Sequence, residues 1–199
     1  FFQVTAQDGV VLDGYIMRPA DFDASKKYPV IFYVYGESWG QTVRDRWRGN
    51  SHLWDQMMSE QGYIIASIDN RGTRTPKGRE WRKSIYGAVG VLSSRDQSDA
   101  LKAMANRWDY IDTDNVAIWG HSGGGSMTLN MLFRYPELYK VGISLAPVAD
   151  QRLYDSIYQE RYSGLLTDYA EGYKQGSPIT HAKNLQGKLL LVHGTGDDN

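Results

Sequence analysis

The sequence predicts an α/β fold, a mostly parallel sheet with helices on both faces. Two observations carry this. Five apolar runs rich in β-branched and aromatic residues have the length of buried strands, and segments with apolar residues at helical spacing stand between the first four of them. Such alternation sets parallel strands side by side, because a crossover between parallel strands needs a dozen or more residues.

In chain order, VTAQDGVVLDGYIMRP alternates, with Asp8-Gly9 as a turn signal between two short strands. The polar loop DFDASKKYP, closed by Pro29, leads to the first buried strand, VIFYVYG. SHLWDQMMSEQG sets Leu53, Trp54, Met57 and Met58 at helical spacing and ends on Gly62, and GYIIASIDNRG follows as the second buried strand. After a Gly- and Arg-rich loop, RDQSDALKAMANRW puts Ala100, Leu101, Met104 and Trp108 on one helical face, ahead of NVAIWG as a strand. SMTLNMLFRYP reads as a helix, KVGISLAPV as a strand, Ala149 to about Lys183 as a Tyr-rich polar excursion, and GKLLLVHG as the fifth buried strand. No repeat, low-complexity stretch or linker divides the chain. Residues 1–199 are therefore expected to be one domain, cut short beyond GKLLLVHGTGDDN, at the sheet edge where α/β proteins carry ligand-binding loops.

With 199 residues and 41% apolar content, the chain can bury a sizeable core. Its formal charge of −1, with the two signs interspersed, gives no continuous basic surface for nucleic acid. No apolar run approaches the roughly 18 to 20 residues that span a bilayer. The absence of cysteine excludes disulfides, thiolate nucleophiles and thiolate metal sites. No two histidines stand at i, i+4 and the acids are dispersed, so neither a metal nor a cofactor is expected.

The chemistry centres on VAIWGHSGGGSMTLN, residues 116–130. A serine hydroxyl becomes a useful nucleophile only when a base is near and its oxyanion product meets fixed donors. In Gly120-His121-Ser122-Gly123-Gly124, small flanking residues let the chain turn sharply from strand to helix, raising Ser122 above the sheet with the next N–H turned to the oxyanion. A plain glycine turn is the alternative. A phosphate loop fits poorly: Gly125-Ser126 stands where Gly-Lys-Ser is needed, and Ser122 takes the middle glycine position of a dinucleotide pattern begun at Gly120.

On an α/β-hydrolase fold the acid and base follow the serine in that order, the acid on the loop after a late strand. Asp197 and Asp198 stand there, where a solvated turn is the competing explanation. The base should come later still. His52, His121, His181 and His193 all precede the acid, so the catalytic histidine is expected beyond Asn199.

With these pieces placed, the chain resembles the α/β-hydrolase catalytic domain of the prolyl oligopeptidase family of serine peptidases, most closely its dipeptidyl peptidase IV branch in bacteria. The resemblance covers nearly the whole chain. It is carried by FYVYGES, SIDNRGT, WRKSIYG, AIWGHSGGGSMTLNMLFRYPELYKVGISLAPVADQRLYDSIYQERYSG and LLLVHGTGDDN, in that order. It implies Ser122 as nucleophile, Asp197 as triad acid, and the Tyr35 phenol and Gly123 N–H as oxyanion donors. Val148, Tyr154 and Tyr158 match the wall of the pocket for the residue before the scissile bond, while Asn199 and Arg161 match residues that hold the substrate backbone. The implied activity is release of N-terminal dipeptides after Pro or Ala from short peptides. An esterase, an acylaminoacyl peptidase and a non-catalytic hydrolase-like module remain as alternatives. Gln151 stands where better-known members have tryptophan, and Gly123 where a tyrosine is common, from which a wider pocket is expected. The resemblance also implies a β-propeller outside these residues, a homodimeric parent protein, and a periplasmic or extracytoplasmic location with the cytoplasm left open.

Overall fold

The computed structural model describes residues 1–199, the side chain of Ser51 excepted. Seven strands form one sheet: β1 (Phe2–Thr5), β2 (Val11–Met17), β3 (Tyr28–Tyr33), β4 (Ile64–Asp69), β5 (Ile111–His121), β6 (Val141–Leu145) and β7 (Lys188–Val192). Their spatial order is β1-β2-β4-β3-β5-β6-β7. The N-terminal hairpin adds β1 and β2 antiparallel at one edge, and the five strands from β4 to β7 run parallel. The fold is the mostly parallel α/β sheet that the alternation predicts.

Six α-helices, α1 (Asn50–Glu60), α2 (Gly78–Lys83), α3 (Val91–Arg107), α4 (Gly123–Arg134), α5 (Ser156–Ser163) and α6 (Leu166–Gly176), and two 3-10 helices, Gln151–Leu153 and Pro178–Asn184, complete the described elements. Among the described residues no helix is long and apolar enough to cross a membrane. Phe32, Ile118, Met127, Met131 and Leu132 are buried together between the centre of the sheet and α4, and Leu101 and Met104 of α3 join that cluster. The opposite face is aromatic: Trp119 of β5 lies 4.8 Å from the Tyr33 ring and 5.0 Å from Trp54 of α1.

Several boundaries differ from the sequence pattern for identifiable reasons. Pro29 lies inside β3 instead of closing the loop, at a register shift against β5 that absorbs its missing N–H. The loop after β4 contains α2, anchored by buried Trp81, whose single apolar anchor is too weak a period to detect. Two helices, α5 and α6, occupy the Tyr-rich excursion, and α5 has almost no amphipathic character to announce it. Helix α4 starts at Gly123, although glycine is a poor helix former, because tertiary contact overrides propensity there.

A buried polar network fixes the loops at the carboxyl ends of the strands. Gln97 of α3 donates to the Ile68 carbonyl at 2.8 Å and to Asn70 Oδ1 at 2.9 Å, and Asn70 donates in turn to the Gly36 carbonyl at 2.8 Å. Beside it the Arg71 guanidinium meets fully buried Asp96 through two nitrogens, at 2.6 and 3.0 Å, while the Arg71 N–H donates to the same carboxylate at 2.9 Å. Arg71 also meets Asp8 at 2.8 Å, so loss of Asp96 removes its buried partner and leaves the one at the surface. Asp96→Ala is expected to lower unfolding free energy by about 1.5 to 3 kcal/mol, the range of hydrogen bonds to charged groups, read by denaturant titration. A loss below about 1 kcal/mol would show that the pair does not anchor this loop.

Candidate active site

Strand β5 ends at His121 and α4 begins at Gly123, so Ser122 alone makes the turn, at φ 59° and ψ −120°. Residues with a side chain rarely enter this region, and holding one there stores strain. The Ser122 N–H donates to the Leu145 carbonyl at 2.9 Å, and its own carbonyl accepts the Ser126 N–H at 3.0 Å. The surrounding glycines are required by contact. A Cβ on Gly120 would stand 2.4 Å from the Val34 carbonyl oxygen, one on Gly124 2.2 Å from the same atom, and one on Gly125 2.6 Å from the Leu145 oxygen. Backbone thus rests on backbone on both sides of the turn.

A cavity of about 380 Å³ opens beside Ser122, walled by Val148 and Tyr154 and bordered by His193, Asp197 and Asn199. Ala146, at φ 44°, lines it too; among the described residues it and Ser122 are the two non-glycine residues with positive φ. Strain concentrated at one cavity marks a functional site more often than a structural one. Ser126 ties the walls together: its hydroxyl accepts the Val148 N–H at 2.9 Å and donates to the Ser122 carbonyl at 3.3 Å.

Asp197 accepts the Asn199 N–H at 3.1 Å, the local turn chemistry anticipated for Asp-Asp-Asn, and stands 3.8 Å from His193 Nδ1, too far for a hydrogen bond. Among the described residues no histidine is hydrogen-bonded to Ser122. His52 lies on α1 beside Arg48, His121 is exposed, and His181 Nε2 is 3.1 Å from the Gln175 carbonyl.

Tyr35 lies two residues past β3, its ring so close to Gly40 that a Cβ there would stand 2.1 Å from a ring carbon. Burial pushes its phenol up to about 12, the Glu37 carboxylate acts in the same direction, and the neighbouring Ser122 side chain opposes both. The phenol therefore keeps its proton at neutral pH and remains a donor. The Gly123 N–H, first in α4, has no partner within its helix and lies at the positive end of the helix dipole.

Glu37 was not indicated by the sequence pattern. Only 4% exposed, it accepts the Tyr158 O–H at 2.9 Å. Burial raises its carboxyl pKa above the usual carboxylate range, against the opposing effect of the Tyr158 hydrogen bond. Its Oε2 would also stand 2.9 Å from a Cβ on Gly123, so the room expected beside that glycine is occupied, a correction to the wider pocket expected there. Gln151 is buried and accepts the Gln159 amide. The one available signal was an acid two residues after Tyr35 in FYVYGES, directly beyond a buried strand. Ser122, Val148, Tyr154, Asp197 and Asn199 line one cavity. Gly123 follows Ser122 as the first residue of α4 and Tyr158 packs its ring on Tyr154, while Tyr35, Gly123 and Tyr158 do not themselves line the cavity. Arg161 does not line it either and belongs to a neighbouring cleft.

Comparison with known proteins follows the same lines. The model of the prolyl oligopeptidase family matches residues 50–199. Dipeptidyl peptidase 4 of Trichophyton rubrum is 38% identical over 205 residues, covering 100% of this chain and 26% of the fungal protein. That of Arthroderma otae is 37% identical over 203 residues, with the same coverage of 100% and 26%. The crystal structure of Porphyromonas gingivalis dipeptidyl peptidase 4 matches with a TM-score of 0.93 and 41% identity, over 100% of this chain and 28% of that one. The chain spans about a quarter of the length of the curated relatives it matches. On the family match and this shared architecture, the chain belongs to the prolyl oligopeptidase family.

Proposed function

We propose that these residues form the catalytic domain of a serine peptidase that removes N-terminal dipeptides, after Pro or Ala, from short peptides. The observation that carries this is Ser122, held at φ 59° at the strand-to-helix turn and facing the cavity of about 380 Å³, with the Gly123 N–H, first in α4, directly beside it. A nucleophile and an oxyanion donor are thereby preassembled on rigid elements. The names of the relatives favour peptide over simple ester substrates, and Val148 and the Tyr154 ring, backed by Tyr158, offer apolar walls suited to a proline ring.

In the proposed reaction a histidine outside residues 1–199, oriented by Asp197, takes the Ser122 proton as Oγ bonds to the scissile carbonyl carbon. Negative charge collects on the carbonyl oxygen, where the Tyr35 O–H and Gly123 N–H stabilise it. The histidine then gives its proton to the leaving amine as the C–N bond breaks, leaving an acyl-enzyme that water hydrolyses by the reverse sequence. Asn199, which lines the Ser122 cavity, is proposed to hold the substrate backbone, a role that Arg161, in the neighbouring cleft, does not share. A β-propeller elsewhere in the parent protein, and pairing of two copies, belong to the same proposal.

In the full-length protein Ser122→Ala should lower kcat on a Gly-Pro chromogenic amide by about 10⁴-fold or more. Turnover at the parental rate would remove Ser122 from the mechanism. Tyr35→Phe keeps the ring that packs on Gly40 and deletes only the donor. It should lower kcat by roughly 10² to 10³-fold with KM little changed. A rise in KM alone would assign Tyr35 to substrate binding instead.

A further inference from the structure

A second cleft, of about 610 Å³, lies between α2, the C-terminal turn of α5 and the loop that follows Glu37. Its rim carries Arg74, Arg79, Arg82, Lys83 and Arg161, and no acidic residue lines it. These five side chains are exposed, and among the described residues none has an ion-pair or hydrogen-bond partner. Elsewhere the arginines Arg48, Arg71, Arg95 and Arg152 each face an aspartate. In a chain of net charge −1, five cations gathered without a counter-charge leave a local field that an anion would satisfy.

The cleft also has aromatic walls that steady the cations. Arg74 lies over the Trp39 ring at 5.1 Å, Lys83 over Tyr86 at 4.8 Å, and Arg161 beside the Tyr162 ring at 5.5 Å. Stacking restrains each stem and leaves the charged head free for a ligand. The volume is that of a pocket for a small group, and the recess is neither long nor continuous enough to follow a nucleic-acid backbone.

A row of tyrosines connects this cleft to the serine. Tyr154 lines the Ser122 cavity, its ring 5.5 Å from Tyr158, and Tyr158 is 4.8 Å from Tyr162, which lines the basic cleft. An extended peptide advances about 3.3 Å per residue, so the row is about as long as three substrate residues. We propose that the basic cleft is a subsite for an acidic side chain, Asp or Glu, lying within about three residues of the scissile bond. A carboxylate there would meet the guanidinium groups of Arg79 and Arg82 from α2 and of Arg161 from α5, with bidentate pairing open to each.

The proposal rests on the peptidase reading, and its test is separated from that reading by measuring binding. Full-length Ser122→Ala protein is titrated with fluorescent peptides that carry Glu or Gln at one position, varied over the three residues on each side of the bond. At one position the Glu peptide should bind about tenfold more tightly at low salt, and the gap should narrow in about 0.5 M salt. Adding Arg79→Gln and Arg82→Gln should reduce the ratio to near one. Equal binding of both peptides at every position overturns the proposal, as does a ratio that survives the double substitution or high salt. Should the double substitution lower the melting temperature of the full-length protein and leave the peptide ratio intact, the cleft docks an acidic surface of its own protein, and the proposal is again overturned. The peptidase reading is judged separately, by turnover of the Gln peptides by the protein with Ser122 intact.

Discussion

The site depends on one constraint, the approach of α4 so near the strand ends that backbone touches backbone. The Val34 carbonyl lies under both Gly120 and Gly124, and the Leu145 carbonyl under Gly125 while also accepting the Ser122 N–H. These contacts hold a serine in a conformation that costs about 1 to 3 kcal/mol to maintain. Burial of Met127, Met131 and Leu132 along α4 offsets that cost, since a fully buried side chain of this size contributes about 1.5 to 3 kcal/mol. The same contacts set the position of Ser122 relative to its neighbours. Val34 immediately precedes Tyr35, and Ser126 binds Val148, so Tyr35, Ser122 and Val148 share one set of backbone references.

Polar groups buried around this frame have a second role. Asn70, Gln97, Arg71 and Asp96 join the ends of β3 and β4 to α3 without exposing any of their charge to the cavity. Glu37 and Tyr158 do the equivalent on the other side of the serine, where a carboxyl whose pKa burial raises is held by a phenol. In low dielectric such groups are costly unless paired, and paired they admit only one arrangement. Rigidity near Ser122 therefore comes from hydrogen bonding as much as from the apolar core.

Much of this was legible in the sequence, and the limits have physical causes. Strong periodicity in the segments that became α1, α3 and α4, together with the β-branched strands between them, was enough to predict the sheet and its parallel sense. GHSGGG identified the turn because glycine is the only residue that fits three backbone contacts, a requirement visible in composition. Tyr35 could be chosen from fourteen tyrosines only through the family resemblance, since in isolation it reads as another strand aromatic. Glu37 escaped because its significance lies in a contact with Tyr158, 121 positions away. The basic cleft escaped for the opposite reason. Its arginines come from α2, α5 and the loop between β4 and α2, and in the linear sequence they alternate with Glu80 and Glu160, which do not line it.

The central claim is that the strained turn makes Ser122, among all the serines of the chain, a nucleophile. Reaction of the full-length protein with a fluorophosphonate, followed by peptide mapping by mass spectrometry, tests it most directly. The account predicts a stoichiometric adduct on Ser122, lost when the protein is first unfolded. An unlabelled protein, or an adduct on Ser126 or another serine, would contradict it.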